Sequence, residues 1–328
     1  MGVPHFSFYH NWQSHIMQSM VILAGDIGGT KTHLALFDGD KRVVEKRFPS
    51  REFASLGVIV QEFLAQEKVQ LSAASFGIAG PVRGGKCIAT NLPWIVDSNE
   101  IAQKLGVEKV GLLNDLEANA YGISVLKSDE FHVLNEGEVQ EGNQALVSAG
   151  TGLGEAGLFF DGKYHTPFAC EGGHADFAPR NDEEVALFQF LQKRFGHVSC
   201  ERILSGPGMK NIYDFLVETG RGERDPDVDS GERFISQQES SVCLRAVDWF
   251  ISMYGAGAGN TALKFMSLGG VFIGGGIAPK IASKMRDHFM KAFIDKGRFA
   301  ELLLSIPVKI ILNEETALLG AHAFAKKF

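Results

Sequence analysis

The chain has 328 residues, 45% of them hydrophobic, and a formal net charge of −7 with acids and bases interspersed. That length suits about two domains with substantial apolar cores. No basic tract or basic–aromatic run argues for nucleic acid, and the cysteines Cys87, Cys170, Cys200 and Cys243 lack zinc-site spacing and read as reduced thiols of a cytoplasmic protein.

Residues 1–20 contain three histidines and several aromatics but no lysine or arginine. They lack both the basic start and unbroken apolar run of a signal peptide and the arginines of a mitochondrial presequence, and read as a flexible extension. Residues 21–24 are an apolar strand that meets Gly25, Asp26, Ile27, Gly28, Gly29, Thr30 and Lys31. A second apolar run, 33–37, stops at Asp38-Gly39, which makes a hairpin. Glycines in such a bend let backbone N–H groups close on an anion. Asp26 beside them suits a phosphate only with a cation between, which suggests a nucleotide phosphate and its Mg²⁺, with Asp26 acting through water and no residue ligating the metal directly. The bend is not a Walker A loop, because Thr30 and not a glycine precedes Lys31.

Residues 43–48, 54–66 and 73–78 read as strand, helix and strand, the alternation of an α/β sheet. The stretch 84–94 is polar and turn-rich, either a loop near a substrate or a β excursion. A helix capped by Asp97 or Ser98 runs to Leu105. The next apolar strand ends at Asn114-Asp115, where a helix begins. Both residues are good helix caps. An acid there also lies at the carboxyl end of a strand, where α/β sheets bind ligands, and can accept a proton from a hydroxyl.

Residues 145–162 repeat the first hairpin, with Gly150, Thr151 and Gly152 at the bend and Asp161-Gly162 at the end. Two such hairpins suggest two related domains facing one nucleotide. Gly152, Gly154 and Gly157 also match a dinucleotide fingerprint, with Glu171 near the place of its ribose acid. The residues after Gly157 read as a strand where that fingerprint needs a helix, which excludes it.

Glu171 and His174 flank two glycines. They suit a pocket for hydroxyl groups, or the histidine is a buried, satisfied one. A helix over 182–195 is capped by Asn181. Glu201 alone reads as a solvated helix residue, and 220–237 as a charged surface loop. The apolar stretch 248–265 is broken by Asn260, Thr261 and Lys264, so it reads as a buried helix and not a membrane span. A strand over 271–273 then enters Gly274, Gly275 and Gly276, where a ribose or flat ring can approach the backbone, and Pro279 opens a helix. A strand over 308–312 and an alanine-rich helix over 315–325 end the chain.

Together, GDIGGTKTHLALFD, LLNDLEANAYG, SAGTGLGEAGL, VFIGGGIAP and TALLGAHAFA resemble the phosphate 1, connect 1, phosphate 2, adenosine and connect 2 elements of the sugar kinase–heat-shock chaperone–actin superfamily. EGGHADFAP and ERILSGPG are similar to the bacterial hexokinase-group glucokinases, and the chain lacks the cysteine-rich zinc motif of ROK-type kinases. The resemblance covers Val21 to the C-terminus. It implies an α/β, two-domain actin-like ATPase (ribonuclease H-like) fold with an interdomain cleft, the small domain comprising 21–125 plus 315–328 and the large one 126–314. It implies phosphorylation of the D-glucose 6-hydroxyl by ATP with Mg²⁺, in a cytoplasmic homodimer. By the same resemblance Asp115 is the general base, and Asn114, Asp115, Glu171, His174 and Glu201 hold the sugar. Gly25 to Thr30 match the first phosphate loop, Gly150 to Gly152 the second, and Gly275 and Gly276 the adenosine element. Lys31 departs from the family's usual polar residue and reaches either a phosphate or solvent. The nearest rival substrates are mannose or an amino sugar. A sensor would need a recognition module, and no helix-turn-helix is evident. A chaperone-like ATPase would leave Glu171, His174 and Glu201 without purpose.

Overall fold

The computed structural model describes residues 21–67, 69–229, 236 and 239–328. The N-terminal extension and part of the 220–237 stretch lie outside the described residues. The first half runs β1 (Val21–Ile27), β2 (Lys31–Asp38), β3 (Lys41–Pro49), α1 (Leu56–Leu64), β4 (Leu71–Ile78), β5 (Val82–Arg83), β6 (Lys86–Ile88), β7 (Ile95–Asp97), α2 (Ser98–Leu105), β8 (Val110–Asn114) and α3 (Asp115–Ile123). The second runs β9 (Phe131–Asn135), β10 (Gln144–Ala149), β11 (Leu153–Phe160), β12 (His165–Cys170), α4 (Asp182–Phe195), α5 (Gly206–Glu218), α6 (Pro226–Asp229) and α7 (Ser241–Phe265). It closes with β13 (Gly270–Gly274), α8 (Ala278–Phe293), α9 (Ala300–Leu304), β14 (Val308–Ile311) and α10 (Thr316–Ala325).

These elements build two lobes, each around a mixed sheet, in the manner of actin- and hexokinase-like ATPases. The sheet orders are β3-β2-β1-β4-β8 and β12-β11-β10-β13-β14-β9. In both, a glycine hairpin pairs antiparallel and its first strand pairs parallel on the other side, β1 with β4 and β10 with β13. The repetition seen in the two hairpins therefore extends to the sheets.

Several boundaries differ from the sequence reading. Strand β1 runs on to Ile27, because Gly25 and Asp26 still face Leu34 and His33 on one side and Phe76 and Gly77 on the other. Ladder pairing, not hydropathy, ends the strand. By the same logic β10 reaches Ala149. The stretch 84–94 is a β excursion onto a small three-stranded sheet, with Trp94 buried and its Nε1 donating to the Phe53 carbonyl at 3.1 Å. The 220–237 stretch is not all surface loop, since it contains α6, whose Val228 packs in the core.

The first lobe's core joins Leu23, Leu34 and Phe76 to Ile59 and Val60 of α1. The second joins Val147 and Ile273 to Phe250 and Tyr254 of α7 and Phe289 of α8. The apolar stretch is thus a core helix, and among the described residues no helix is long and apolar enough to cross a membrane.

Two helices tie the lobes together. Helix α10 returns from the second sheet to the first, where Leu318 and Ala321 pack on Ala24, Ala35 and Phe37. Helix α3 packs both ways. Its Ala118 meets Leu113 and Ala317, while Ala120 and Ile123 meet Leu146, Leu158 and Phe272 of the second sheet. The two helices approach so closely that a Cβ on Gly320 would lie 1.7 Å from the Ala118 carbonyl oxygen. Gly320→Ala must push α3 and α10 apart and should lower stability by about 3 kcal/mol, the upper range for overpacking. Urea denaturation checks this, and an unchanged midpoint would contradict the contact.

Candidate active site

Asn114 and Asp115 form the junction between β8 and α3. Asn114 is the N-cap: its Oδ1 accepts the Glu117 N–H at 2.6 Å, and Glu117 Oε2 accepts the Asn114 N–H at 3.1 Å. That reciprocal box fixes the first turn of the helix. The capping reading of Asn114 therefore holds, and its Nδ2 is what remains to donate to a ligand. Asp115 Oδ1 accepts the Leu116 N–H at 3.1 Å. Burial pushes the Asp115 carboxyl up, the N–H groups of Leu116 and Asp115 oppose the rise, and the charge of Glu171 adds to it.

A cavity of about 400 Å³ runs between the lobes. Asp26 and Asp115 line it from the first lobe, and Ser148, Gly275 and Gly276 from the second. Burial raises the Asp26 carboxyl to about 6, the charge of Asp115 adds to this, and Lys31 works against it. Two acids in one partly dry space favour a cation or a shared proton. Residues 28–30 and 150–152 are not in that wall; each bend follows a lining residue, Asp26 or Ser148, by two positions. The first bend is 28–30 and not 25–30. Gly25 and Ile27 belong to β1, Ile27 with its side chain in the core. Ser50 holds the bend, donating from Oγ to the Gly28 carbonyl at 2.8 Å and from its N–H to the Thr30 carbonyl at 3.0 Å.

The second bend is fixed from beneath by the buried Tyr254. Its hydroxyl accepts the Ala149 N–H at 3.1 Å and donates to the Val147 carbonyl at 3.0 Å. Gly275 adopts φ +82°, and a Cβ there would lie 2.2 Å from the Ala149 carbonyl oxygen. Only glycine satisfies both conditions, so the turn after β13 can sit against the end of β10. Gly276 has open space on its Cβ side.

Glu171 and His174 bracket a 3₁₀ turn, Gly172–His174, and both are exposed. His174 is thus not a buried core histidine. Glu201 is not a freely solvated residue either. Its Oε2 accepts the Leu153 N–H at 3.0 Å and would lie 2.5 Å from a Cβ on Gly152. It links the loop after α4 to the second bend. Neither these three residues nor Asn114 lines the interlobe cavity, although Glu171 acts on Asp115 through its charge.

Sequence reasoning missed Ser148, Ser50 and Tyr254. Ser148 was within reach, because it and Asp26 are both the penultimate residues of their strands in the two matching hairpins. Tyr254 carried no signal, since one hydroxyl in an apolar helix reads as core.

The glucokinase family model matches residues 23–328. A glucokinase of Nostoc punctiforme is 39% identical over 338 aligned positions, covering 94% of this chain and 99% of the relative. Among solved structures, glucokinase from an Antarctic psychrotroph superposes with a TM-score of 0.83 at 29% identity, covering 94% of this chain and 99% of that one. Glucokinase from Balamuthia mandrillaris in complex with glucose shares the fold, with a TM-score of 0.78 at 20% identity and 93% of each chain covered.

The raised Asp26 carboxyl makes stability depend on pH. The folded protein keeps a proton that the unfolded chain, with its carboxyl near the ordinary 3.8, has released. Stability from this group is therefore lost as pH rises from about 4 to about 6, and is level above. Asp26→Asn should abolish that slope and be more stable at neutral pH by on the order of 2 kcal/mol. Urea denaturation across this range measures both, and parallel curves for the two proteins would overturn the assignment.

Proposed function

Because this chain belongs to the glucokinase family, we propose that it transfers the γ-phosphoryl group of ATP to the 6-hydroxyl of D-glucose, with Asp115 as general base. One observation carries this reading: Asp115 lies in the same cavity as Asp26 and the glycines Gly275 and Gly276. A proton acceptor, a candidate cation-holding acid and a bare backbone turn converge where the two lobes meet.

Phosphoryl transfer is mostly positioning and charge stabilisation. Asp115 sits at the N-terminal end of α3, where the helix dipole favours its ionised form against burial. It accepts the hydroxyl proton as the new P–O bond forms. Asp26 would hold Mg²⁺ through water, which fits a carboxylate whose burial and acidic neighbour leave it short of positive charge. Bound there with ATP, Mg²⁺ supplies neutralisation of phosphate charge. The Gly28 and Gly150 N–H groups close their own bends on the Lys31 and Gly152 carbonyls at 3.0 and 2.8 Å, so those of Gly29, Thr30, Thr151 and Gly152 would face the phosphates, and Gly275 and Gly276 would admit the adenosine. Asn114 Nδ2, Glu171, His174 and Glu201, through the Oε1 not engaged by Leu153, hold the remaining sugar hydroxyls, a donor and acceptor set that suits a polyol. The relatives' names favour glucose among hexoses.

The return of α10 to the first sheet supports a small domain of 21–125 plus 315–328 and a large one of 126–314. Their closure would exclude water from the cleft. A cytoplasmic homodimer completes the reading, on the strength of the family resemblance.

Asp115→Asn should lower kcat by ~10²–10⁴-fold while leaving glucose binding within a few-fold, measured by coupled assay and calorimetry. Unchanged turnover would remove Asp115 as base. In a panel of hexoses with Mg-ATP, glucose should give the highest kcat/KM, and a preference for mannose or glucosamine would overturn the sugar assignment.

A further inference from the structure

A second cavity, about 190 Å³, lies inside the second lobe between the loop that follows Gly172, Cys200 and the last turns of α7. None of the residues assigned to the cleft lines it. Its wall carries three cationic side chains, Arg180, Lys264 and Lys296, and two carboxylates, the buried Glu155 and the exposed Asp176, which is hydrogen-bonded to His197 at 2.7 Å.

The two lysines are not matched in ion pairs. Arg180 is already committed, donating from Nε to Glu184 at 3.1 Å and from Nη2 to Ser252 Oγ at 2.9 Å. Among the described residues neither Lys264 nor Lys296 has a carboxylate within ion-pair distance. Burial and the charge of Arg180 push the Lys296 amine down, and the charges of Asp295 and Glu184 offset this only in part. Glu155 is only 7% exposed, and its carboxyl is pushed up by burial although Lys264 and Thr261 relieve it. Lys264 thus has Glu155 as its counter-charge and Lys296 has Asp295 and Glu184, none of them at ion-pair distance from its lysine, and an anion in the cavity supplies the direct contact that both lysines lack. Asn260, also in the wall, adds neutral donors. The volume is below the ~300–1,000 Å³ of drug-sized sites, which restricts the occupant to a compact molecule.

We propose that this cavity binds a compact oxyanion, a phosphate or the phosphate head of a small ester, held by Lys264, Lys296 and Asn260. Its roof starts at Gly172, next to Glu171. Glu155 lies directly under that glycine, its Oε2 2.1 Å from where a Cβ would be. An anion that draws Lys264 away from Glu155 alters the charge beneath the sugar loop. The binding stands apart from the proposed function, whereas the coupling rests on the role given there to Glu171 and His174.

Calorimetry with the full-length protein tests the binding without any turnover. Inorganic phosphate and glycerol phosphate are titrated into the wild type, K264M/K296M and K264R/K296R, each with and without saturating ATP. Binding should persist in the presence of ATP, survive in the arginine pair and weaken by at least ~10-fold in the methionine pair. Tighter binding of glycerol phosphate assigns the site to an ester, and equal binding assigns it to free phosphate. No binding to the wild type, displacement by ATP, or equal affinity in K264M/K296M with an unchanged melting curve overturns the site. For the coupling, the anion should shift the glucose KM of the wild type and not that of K264M/K296M. Equal shifts, or none, overturn it.

Discussion

Two carboxylates in one partly dry cavity are the constraint on which the rest of this structure depends. Asp26 and Asp115 each lose water, and Asp26 also feels the charge of its neighbour. Left to themselves they would separate or turn outward. The sheet forbids both. Asp26 is paired opposite His33 and Gly77, and Asn114, just before Asp115, opposite Ile78, so only β4 separates the two acids. The cost is met by the cores on either side, and the destabilised pair is what a cation and a departing proton can use. Sites of this kind trade stability for reactivity.

Holding Asp115 is the task of α3, and that helix is held by both lobes. Its N-cap box fixes the first turn, α10 packs on one side, and Leu146, Leu158 and Phe272 pack on the other. The chain also crosses between the lobes twice, side by side. The Leu312 N–H donates to the Glu130 carbonyl at 2.9 Å, and Asn313 Nδ2 donates to the Glu130 carboxylate. Just beyond, Glu315 is clamped to the first sheet by Arg42 at 2.7 Å and Arg47 at 2.9 Å. His33 lies against the same cluster, near Glu45 and Glu315. With two arginines already inside it, that cluster is a clamp on the crossing segment and not a metal site.

What could be read from the sequence was whatever glycine, capping residues and the carboxyl ends of strands announce. The two hairpins, the junction at Asn114-Asp115, the cap at Asn181 and the turn at Gly275 all have local causes, so local reasoning reaches them. Strand ends at Ile27 and Ala149 were not legible, because pairing with a partner strand extends a strand past its apolar run. Glu201 looked like a solvated acid because its partner, the Leu153 N–H, is distant in sequence. Tyr254 and Glu155 were invisible for the same reason: one hydroxyl or carboxyl among apolar neighbours acquires meaning only from what folds against it. Asn114 shows a further limit. Its side chain serves the helix with one atom and leaves another for a ligand, and a choice between cap and contact was never the right question.

The duplication gives the final step. Asp26 and Ser148 occupy matching places, each penultimate in the first strand of its hairpin, and both reach the same cavity. Had the second place also been acidic, a fourth carboxylate would join Asp26, Asp115 and the exposed Glu314 in one space, and a polyphosphate would meet repulsion from both walls. A neutral hydroxyl there leaves one lobe acidic and the other offering glycine backbone, Gly275 and Gly276, with Lys280 nearby. That asymmetry gives a bound nucleotide a direction. On the proposed function its anionic end would lie towards the acids, accompanied by a cation, and its neutral end towards the bare turn. The symmetry of the fold builds the cleft, and one broken equivalence, Asp26 against Ser148, orients what lies in it.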